Sequence, residues 1–230
     1  MAATAYPVTF EVEYPERLSR WLIFVKWLLA FPHLLILGVF AYLVALTTFI
    51  SWFAILFTAR YPRALFDLAV IYLRWDARVS AYVTLFRDEY PPFGGGSPEY
   101  PARFDVEYPE KLSRLLIFVK WLLAFPHMVI LGLLGLVAFV VYVIAWFAIF
   151  FTGQFPRSLF DFLVGVQRWS LRVNAYVYLM RDEYPPSACR EDTLRWSNPP
   201  LIPSPTTFPT RRSWGGSPRP SARYWLSPRC

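Results

Sequence analysis

The only two histidines of the chain, His33 and His127, each end the same stretch, Ala-Phe-Pro-His. Lys26 and Lys120 each lie seven residues before one of them, so lysine and histidine would share one face of a continuous helix. Ionisable groups inside an apolar segment are candidates for a proton relay, a ligand site or a metal site. Two hypotheses follow: a polar seam inside a membrane, formed by Lys26, His33, Lys120 and His127, or a bend at a membrane interface.

The residues around the histidines favour the bend. Two histidines without a cysteine, or a carboxylate three or four residues away, make a poor zinc or iron site. A lysine near a helix end can extend its ammonium group to the interface, and a proline-histidine pair suits a turn there. We therefore expect no metal and no cofactor, and the proton or ligand role stays as the alternative.

A second group of charged residues follows each long apolar run. At about 100° per residue, its members in the first half of the chain lie on one side of a helix, and the second half repeats them. The simplest interpretation is a helix edge against solvent or anionic lipid headgroups, and a docking edge for a partner protein is the alternative. The residues are Arg63, Asp67, Arg74, Arg78, Arg157, Asp161, Arg168 and Arg172.

Enzyme motifs are missing from the sequence. It contains no Gly-x-Ser-x-Gly, P-loop, Cys-x-x-Cys or His-Glu-x-x-His pattern. Asp88 and Glu89 adjoin a Pro-Pro pair and have no nucleophile or base beside them in the sequence. The net charge of +7 fits a membrane surface as well as nucleic acid, but no nucleic-acid module is recognisable. We expect a non-catalytic protein that does not bind nucleic acid.

The composition is that of a membrane protein. Hydrophobic residues make up 56% of the chain and charged residues 17%, against about 25% charged residues in soluble domains. No basic region leads into an apolar core at the N-terminus, so we expect the first apolar segment to act as its own insertion signal. Cys189 and Cys230 indicate neither a disulfide framework nor a metal motif.

The chain is an internal duplication. The stretch from Tyr6 to Pro92 returns at Tyr100 to Pro186 without a gap, at an offset of 94 residues (100 minus 6). Residues 1–93 are predicted as repeat 1 and residues 100–186 as repeat 2, with residues 94–99 as a Gly/Pro-rich linker. Both copies keep the AFPH stretch, an Arg-Trp pair and the motif Arg-Asp-Glu-Tyr-Pro-Pro.

Each copy predicts the same three elements. Val8, Phe10 and Val12 alternate with polar residues, as in a half-buried β-strand, and the second copy repeats the alternation. The apolar run that follows is about twice the length of one membrane span and predicts a helical hairpin. A third, amphipathic segment predicts a helix lying in the membrane interface, with Trp75 or Tyr82 at headgroup depth. The hairpins are predicted at about residues 18–58 and 112–152, and the interfacial helices at about 62–87 and 156–181.

Basic residues at both ends of each apolar run predict an even number of crossings. Arg17 and Arg20 precede the first run and Arg60 follows it, and basic residues favour the cytoplasmic side. We expect four membrane legs, both repeats in the same orientation, and a cytoplasmic N-terminus and tail. The turn would fall at Pro32 or near Gly38.

These motifs together resemble a known family. The order YPERLSR, AFPH, WFAILFT, LFD, RW and RDEYPPF is similar to the bacterial membrane family described as domain of unknown function 4389, here in tandem. The resemblance implies an integral membrane protein of bacterial type. Together with the elements predicted above, it leads us to expect a mainly α-helical, multi-pass protein of the bacterial cell membrane. It implies no established activity, ligand or catalytic residue. Ala59 and Gln154 depart from the pattern at the end of the apolar run.

The last segment, residues 187–230, is rich in Pro, Ser, Arg and Trp and lacks periodicity. It predicts a disordered tail or the product of a shifted reading frame. From all these features we expect an accessory or scaffold protein, or one that organises a lipid surface. Its expected partners are the bilayer, with anionic headgroups, and a membrane protein. A small transporter or channel that uses the Lys/His seam is the alternative.

Overall fold

The computed structural model describes residues 6–94 and 100–186. The predicted tail, Cys189, Cys230 and all but one residue of the predicted linker lie outside these ranges. The described residues form a mainly helical structure in which each repeat contributes one strand and two helices. In chain order the elements are β1 (Val8–Val12), α1 (Leu22–Thr58), α2 (Arg63–Val83), β2 (Ala102–Val106), α3 (Leu116–Thr152) and α4 (Arg157–Val177).

The two strands confirm the predicted alternation and pair with each other. Val8, Phe10 and Val12 are buried, and the residues between them are exposed. β1 and β2 are antiparallel, and their register places Phe10 opposite Phe104, its own equivalent in the second repeat. Since both rings lie on the buried face, an approximate twofold axis between the repeats passes through this pair, perpendicular to the sheet.

Each apolar run is one continuous helix, so the predicted hairpins at 18–58 and 112–152 are wrong. α1 and α3 each contain 37 residues, with Pro32 and Pro126 inside them. A turn needs residues that satisfy or expose polar backbone groups, whereas a helix satisfies those groups along an apolar run. Gly38 stays helical, and a Cβ atom added at this position would meet no other atom within 4 Å, so no close contact requires a glycine here. The helices end only at left-handed residues, Ala59 and Gly153.

The long helices α1 and α3 are antiparallel to each other, and the expected orientation of the repeats in a membrane stays a prediction. The ring of Phe24, near the start of α1, lies 5.1 Å from that of Trp146, near the end of α3. The ring of Phe118, near the start of α3, makes the equivalent contact with that of Trp52, near the end of α1, also at 5.1 Å. A twofold axis reverses every direction perpendicular to it, so two equivalent helices that lie across the axis run antiparallel.

The elements form three layers. α1 packs on α2 and α3 on α4, while α2 contacts β2 and α4 contacts β1. α1 buries only a stripe of residues three or four positions apart and leaves the rest of its circumference exposed. The sheet forms one outer layer, α2 and α4 the middle layer, and α1 and α3 the other outer layer.

The amphipathic helix was placed correctly along the chain but not in its surroundings. α2 lies within the predicted residues 62–87, yet it is covered by α1 on one side and by β2 on another. Trp75 and Tyr82, expected at headgroup depth, are buried. A helical wheel does not distinguish a helix that rests on lipid from one that lies between two protein layers.

Candidate functional site

Lys26 lies near the start of α1 and its side chain is fully buried. The ammonium group donates to the carbonyl oxygen of Arg87 at 2.7 Å and pairs with a carboxylate oxygen of Asp88 at 2.8 Å. The other carboxylate oxygen of Asp88 accepts from the backbone N–H of Ser19 at 2.6 Å. One carboxylate therefore neutralises the buried lysine and holds the segment that leads into α1.

The second repeat builds the same pair. Lys120 donates to the carbonyl oxygen of Arg181 at 2.8 Å and pairs with Asp182 at 2.7 Å. The sequence interpretation had left Asp88 without a partner. Its retention in both copies of the Arg-Asp-Glu-Tyr-Pro-Pro motif was the signal that could have identified it.

His33 is buried against Trp75 of α2. The indole N–H of Trp75 donates to Nδ1 of His33 at 3.1 Å, and Trp169 donates to His127 at 3.2 Å. Because an indole nitrogen can only donate, Nδ1 is an acceptor without a proton. The imidazole in this arrangement is neutral with its proton on Nε2, and a second proton would break the bond to the tryptophan.

Aromatic rings cover the histidine on its other sides. The ring of Phe93 stacks on His33 at 4.0 Å between centroids, and Tyr90 lies at 4.9 Å. In the second repeat Tyr184 lies 4.6 Å from His127. In the described part of the chain, no group of three His, Cys, Asp or Glu residues is placed to hold a metal ion.

The four residues of the predicted polar seam do not meet. The contacts described above join Lys26 and His33 to repeat 1, and Lys120 and His127 to repeat 2. Both lysines lie near the N-terminal ends of their helices, and those helices are antiparallel. The two Lys/His sets therefore lie toward opposite ends of the helix pair.

The predicted arginine edge is not one exposed surface, and half of it joins the two repeats. Arg74 of α2 donates to the carbonyl oxygen of Phe104 in β2 at 3.1 Å and pairs with Asp105 at 3.1 Å. The buried Arg168 of α4 donates to the carbonyl oxygen of Phe10 in β1 at 3.1 Å. Each amphipathic helix is thus bonded to the strand of the other repeat.

Arg78 and Arg172, one turn further along the same edge, are also buried. The guanidinium of Arg78 lies 5.8 Å from the ring centroid of Tyr100, and that of Arg172 lies 5.3 Å from Tyr6. Groups buried in this way cannot contact lipid headgroups. The four residues of the predicted edge that remain exposed are Arg63, Asp67, Arg157 and Asp161.

The repeated architecture of the two halves agrees with a comparison with protein families. Residues 20–94 and 114–188 each match the family described as Domain of unknown function (DUF4389). The chain belongs to this family. No curated protein and no solved structure matches the chain.

Each DUF4389 copy contains a complete Lys–Asp pair and a complete His–Trp pair. The strands β1 and β2 lie before the matched ranges, so the sheet that joins the repeats is an addition to the matched part of each copy. The matched residues include both pairs that join the two helices of one copy, and the strands add a sheet that joins the two copies.

A charged network lies where each copy ends. The guanidinium of Arg87 forms an ion pair with Glu89 at 3.0 Å and donates to the carbonyl oxygen of Glu13 at 3.3 Å. Arg181 repeats the arrangement in the second copy, where an open pocket of about 360 Å³ lies beside it. The pocket is lined by Glu107, Tyr108, Pro109, Glu110, Lys111, Leu112, Arg181, Asp182 and Glu183.

A few polar residues occur in only one DUF4389 copy. Asp76 of α2 is partly buried, and burial raises the pKa of its carboxyl group to about 6. The equivalent position in α4 is Ser170. Burial also raises the pKa of the Tyr61 hydroxyl, whose equivalent is Phe155. These differences break the symmetry between the two copies.

Proposed function

We propose that this protein is a non-catalytic membrane protein that serves as an accessory or scaffold subunit or organises a lipid surface. One observation carries the proposal: the outer surface of α1 and α3 is apolar along its whole length. Between residues 21 and 58, and between residues 115 and 152, the charged side chains are Lys26 and Lys120, and both are buried. α1 and α3 are each long and apolar enough to cross a membrane.

The size of this surface supports a lipid environment. A helix of 37 residues is about 55 Å long and about 10 Å wide. Two such helices present an apolar face on the order of 1,000 Å², whereas monomeric proteins in water rarely expose more than a few hundred. Trp21, Leu28, Val39, Phe57 and their equivalents in α3 are all exposed on it.

The cations at the helix ends support contact with headgroups. Arg17 and Arg20 are exposed before α1, and Lys111 and Arg114 are exposed before α3. Arginine and lysine beside an apolar helix are attracted to anionic lipids. The proposed partner is therefore a bilayer that contains anionic headgroups.

The arrangement of the ionisable groups supports a structural role over transport or catalysis. Lys26 and His33 are each held by a partner within one copy, and the corresponding groups of the other copy lie toward the other end of the helix pair. A transport path through a shared seam would need these groups to face one cavity.

Membrane association of charge variants tests the proposal. Val39→Lys with Leu133→Lys places two cations in the middle of the apolar face, where each costs about 3 kcal/mol in hydrocarbon. The matched control, Ala64→Lys with Ser158→Lys, places two cations on exposed positions of α2 and α4. After an alkaline wash of membranes, we expect the control to stay in the membrane fraction and the first variant to be released or degraded.

Flotation of the purified protein with vesicles completes the test. The unmodified protein should float with anionic vesicles after removal of detergent. An unmodified protein that stays soluble, monomeric and unbound to vesicles would refute the proposal.

A further inference from the structure

We infer that α1 and α3 lie flat within one leaflet of the bilayer, with the β1–β2 sheet facing the water, rather than crossing the membrane. The inference rests on the proposed membrane function and states how the apolar surface of α1 and α3 lies in the bilayer. Four observations support it: the direction of the twofold axis, the length of the helices, the charge of the sheet, and the position of the terminal cations.

The twofold axis determines how the apolar face relates to the sheet. The axis passes through the Phe10–Phe104 pair perpendicular to the sheet, because both side chains lie on the same buried face. α1 and α3 exchange places about this axis and are antiparallel, so they run largely perpendicular to it. The sheet and the apolar face therefore lie at opposite ends of one axis, like the two sides of a slab.

An upright arrangement would place the sheet in the hydrocarbon. If α1 and α3 crossed the bilayer, the axis would lie in the membrane plane and the sheet would lie at mid-depth. Its outer face carries the exposed residues Glu11, Arg103 and Asp105. Charged groups at that depth are costly, whereas a flat arrangement leaves them all in water.

Length leads to the same conclusion. The hydrocarbon core is about 30 Å thick, and a helix of about 55 Å would have to tilt by about 57° or more from the bilayer normal to fit within it. A helix about 10 Å in diameter fits within one leaflet, which supplies about 15 Å of hydrocarbon. The middle layer, α2 and α4, then lies at the level of the headgroups.

The exposed cations lie at both ends of the α1–α3 helix pair. The backbone N–H of Leu18 donates to the carbonyl oxygen of Gly153, so Arg17 and Arg20 lie where α1 begins and α3 ends. Leu112 bonds in the same way to Ala59, which places Lys111 and Arg114 at the other end. In a flat arrangement both groups reach the headgroups of one leaflet, so the occupant of the apolar face is an anionic leaflet.

Single cysteines at equivalent positions test the inference in membranes. The test uses a chain with Cys189→Ser and Cys230→Ser. In it, the substitutions Glu16→Cys and Glu110→Cys mark the two ends of the α1–α3 helix pair, and both residues are exposed. Val39→Cys marks the middle of the apolar face. An impermeant maleimide is added to intact spheroplasts and, separately, to inverted vesicles of a bacterial host. We expect Glu16→Cys and Glu110→Cys to react in the same preparation, and Val39→Cys to react in neither without detergent.

The outcomes separate the inference from the proposed function. Reaction of Glu16→Cys and Glu110→Cys in opposite preparations would overturn the flat arrangement and leave a membrane-spanning protein. Reaction of Val39→Cys without detergent, in protein that a mild wash releases, would refute the membrane function itself. Protection of Val39→Cys in a stable dimer free of lipid would assign the face to a second copy and also overturn the inference.

Discussion

Phe10 of β1 lies opposite Phe104 of β2, so each strand pairs with the equivalent residues of the other repeat. Each amphipathic helix is then bonded to the strand of the other repeat, through Arg74 and Arg168. The two DUF4389 copies therefore form one interlocked unit within the described residues. Loss of a contact between the repeats should destabilise both halves together.

Arg168→Met removes the buried guanidinium that donates to the Phe10 carbonyl oxygen. We expect a loss of about 1–3 kcal/mol in the free energy of unfolding, since a buried acceptor loses its donor. Arg157→Met is the control, because Arg157 is an exposed arginine at the start of the same helix. Thermal unfolding in mild detergent should show one transition at lower temperature for Arg168→Met and little change for Arg157→Met. Equal effects of the two changes would contradict the role given to Arg168.

Lys26→Met should destabilise the protein because it leaves Asp88 without its buried partner. Breaking a buried ion pair costs about 3–5 kcal/mol, and the partial exposure of Asp88 places the expected loss at the lower end. Lys26→Met with Asp88→Asn should recover part of the loss, since the orphaned charge is gone. A double-mutant cycle from chemical unfolding measures the coupling. Additive effects of the two changes would mean that the pair has no role in stability.

The histidine is predicted to matter more than the proline beside it. His33→Leu leaves the buried indole N–H of Trp75 without an acceptor and should cost about 1–3 kcal/mol. His33→Leu with Trp75→Phe should recover part of that loss. Pro32→Ala should be neutral or stabilising, because Pro32 is exposed inside a continuous helix and alanine restores a backbone donor. A stabilised His33→Leu protein together with a destabilised Pro32→Ala protein would reverse this assignment.

Asp76 should make stability depend on pH. Its pKa is about 6 in the folded protein and about 4 when unfolded, so the folded state holds its proton more tightly. The contribution of Asp76 to the free energy of unfolding is therefore greatest below about pH 4, falls as pH rises to about 6, and then stays lower, by at most about 3 kcal/mol. Asp76→Ser, which copies Ser170, should remove this slope, and Asp67→Asn, at an exposed site on the same helix, should keep it. An unchanged slope in Asp76→Ser would assign the dependence to another group.

The sequence predicted structure well where a pattern along the chain determines it. The alternation of Val8, Phe10 and Val12 identified a strand, and the duplication identified two equivalent halves. The hairpin prediction failed because it placed a turn at Pro32 or Gly38, whereas α1 stays helical through both residues. Basic residues at both ends of a run, which led to the expectation of an even number of crossings, are also compatible with a helix that lies flat.

The candidate site could be predicted only in part, because its partners are distant in sequence. Lys26 and His33 were recognised as unusual, but Asp88 and Trp75 are separated from them by a whole helix. Arg78 and Arg168 looked like an exposed edge because a helical wheel contains no information about the strand of the other repeat. Only the fold shows that these charges are buried between two layers.

The orientation of the helices in a bilayer tests the central claim most directly. α2 runs antiparallel to α1, as the contacts of His33 with Trp75 and of Lys26 with Tyr82 show, and α4 repeats this on α3. All four helices should therefore lie close to the membrane plane. Polarised infrared spectroscopy of the protein in oriented anionic bilayers measures their mean direction from the dichroism of the amide I band. A flat protein gives amide I transition moments mainly in the plane of the bilayer, and moments mainly along the bilayer normal would contradict the arrangement within one leaflet.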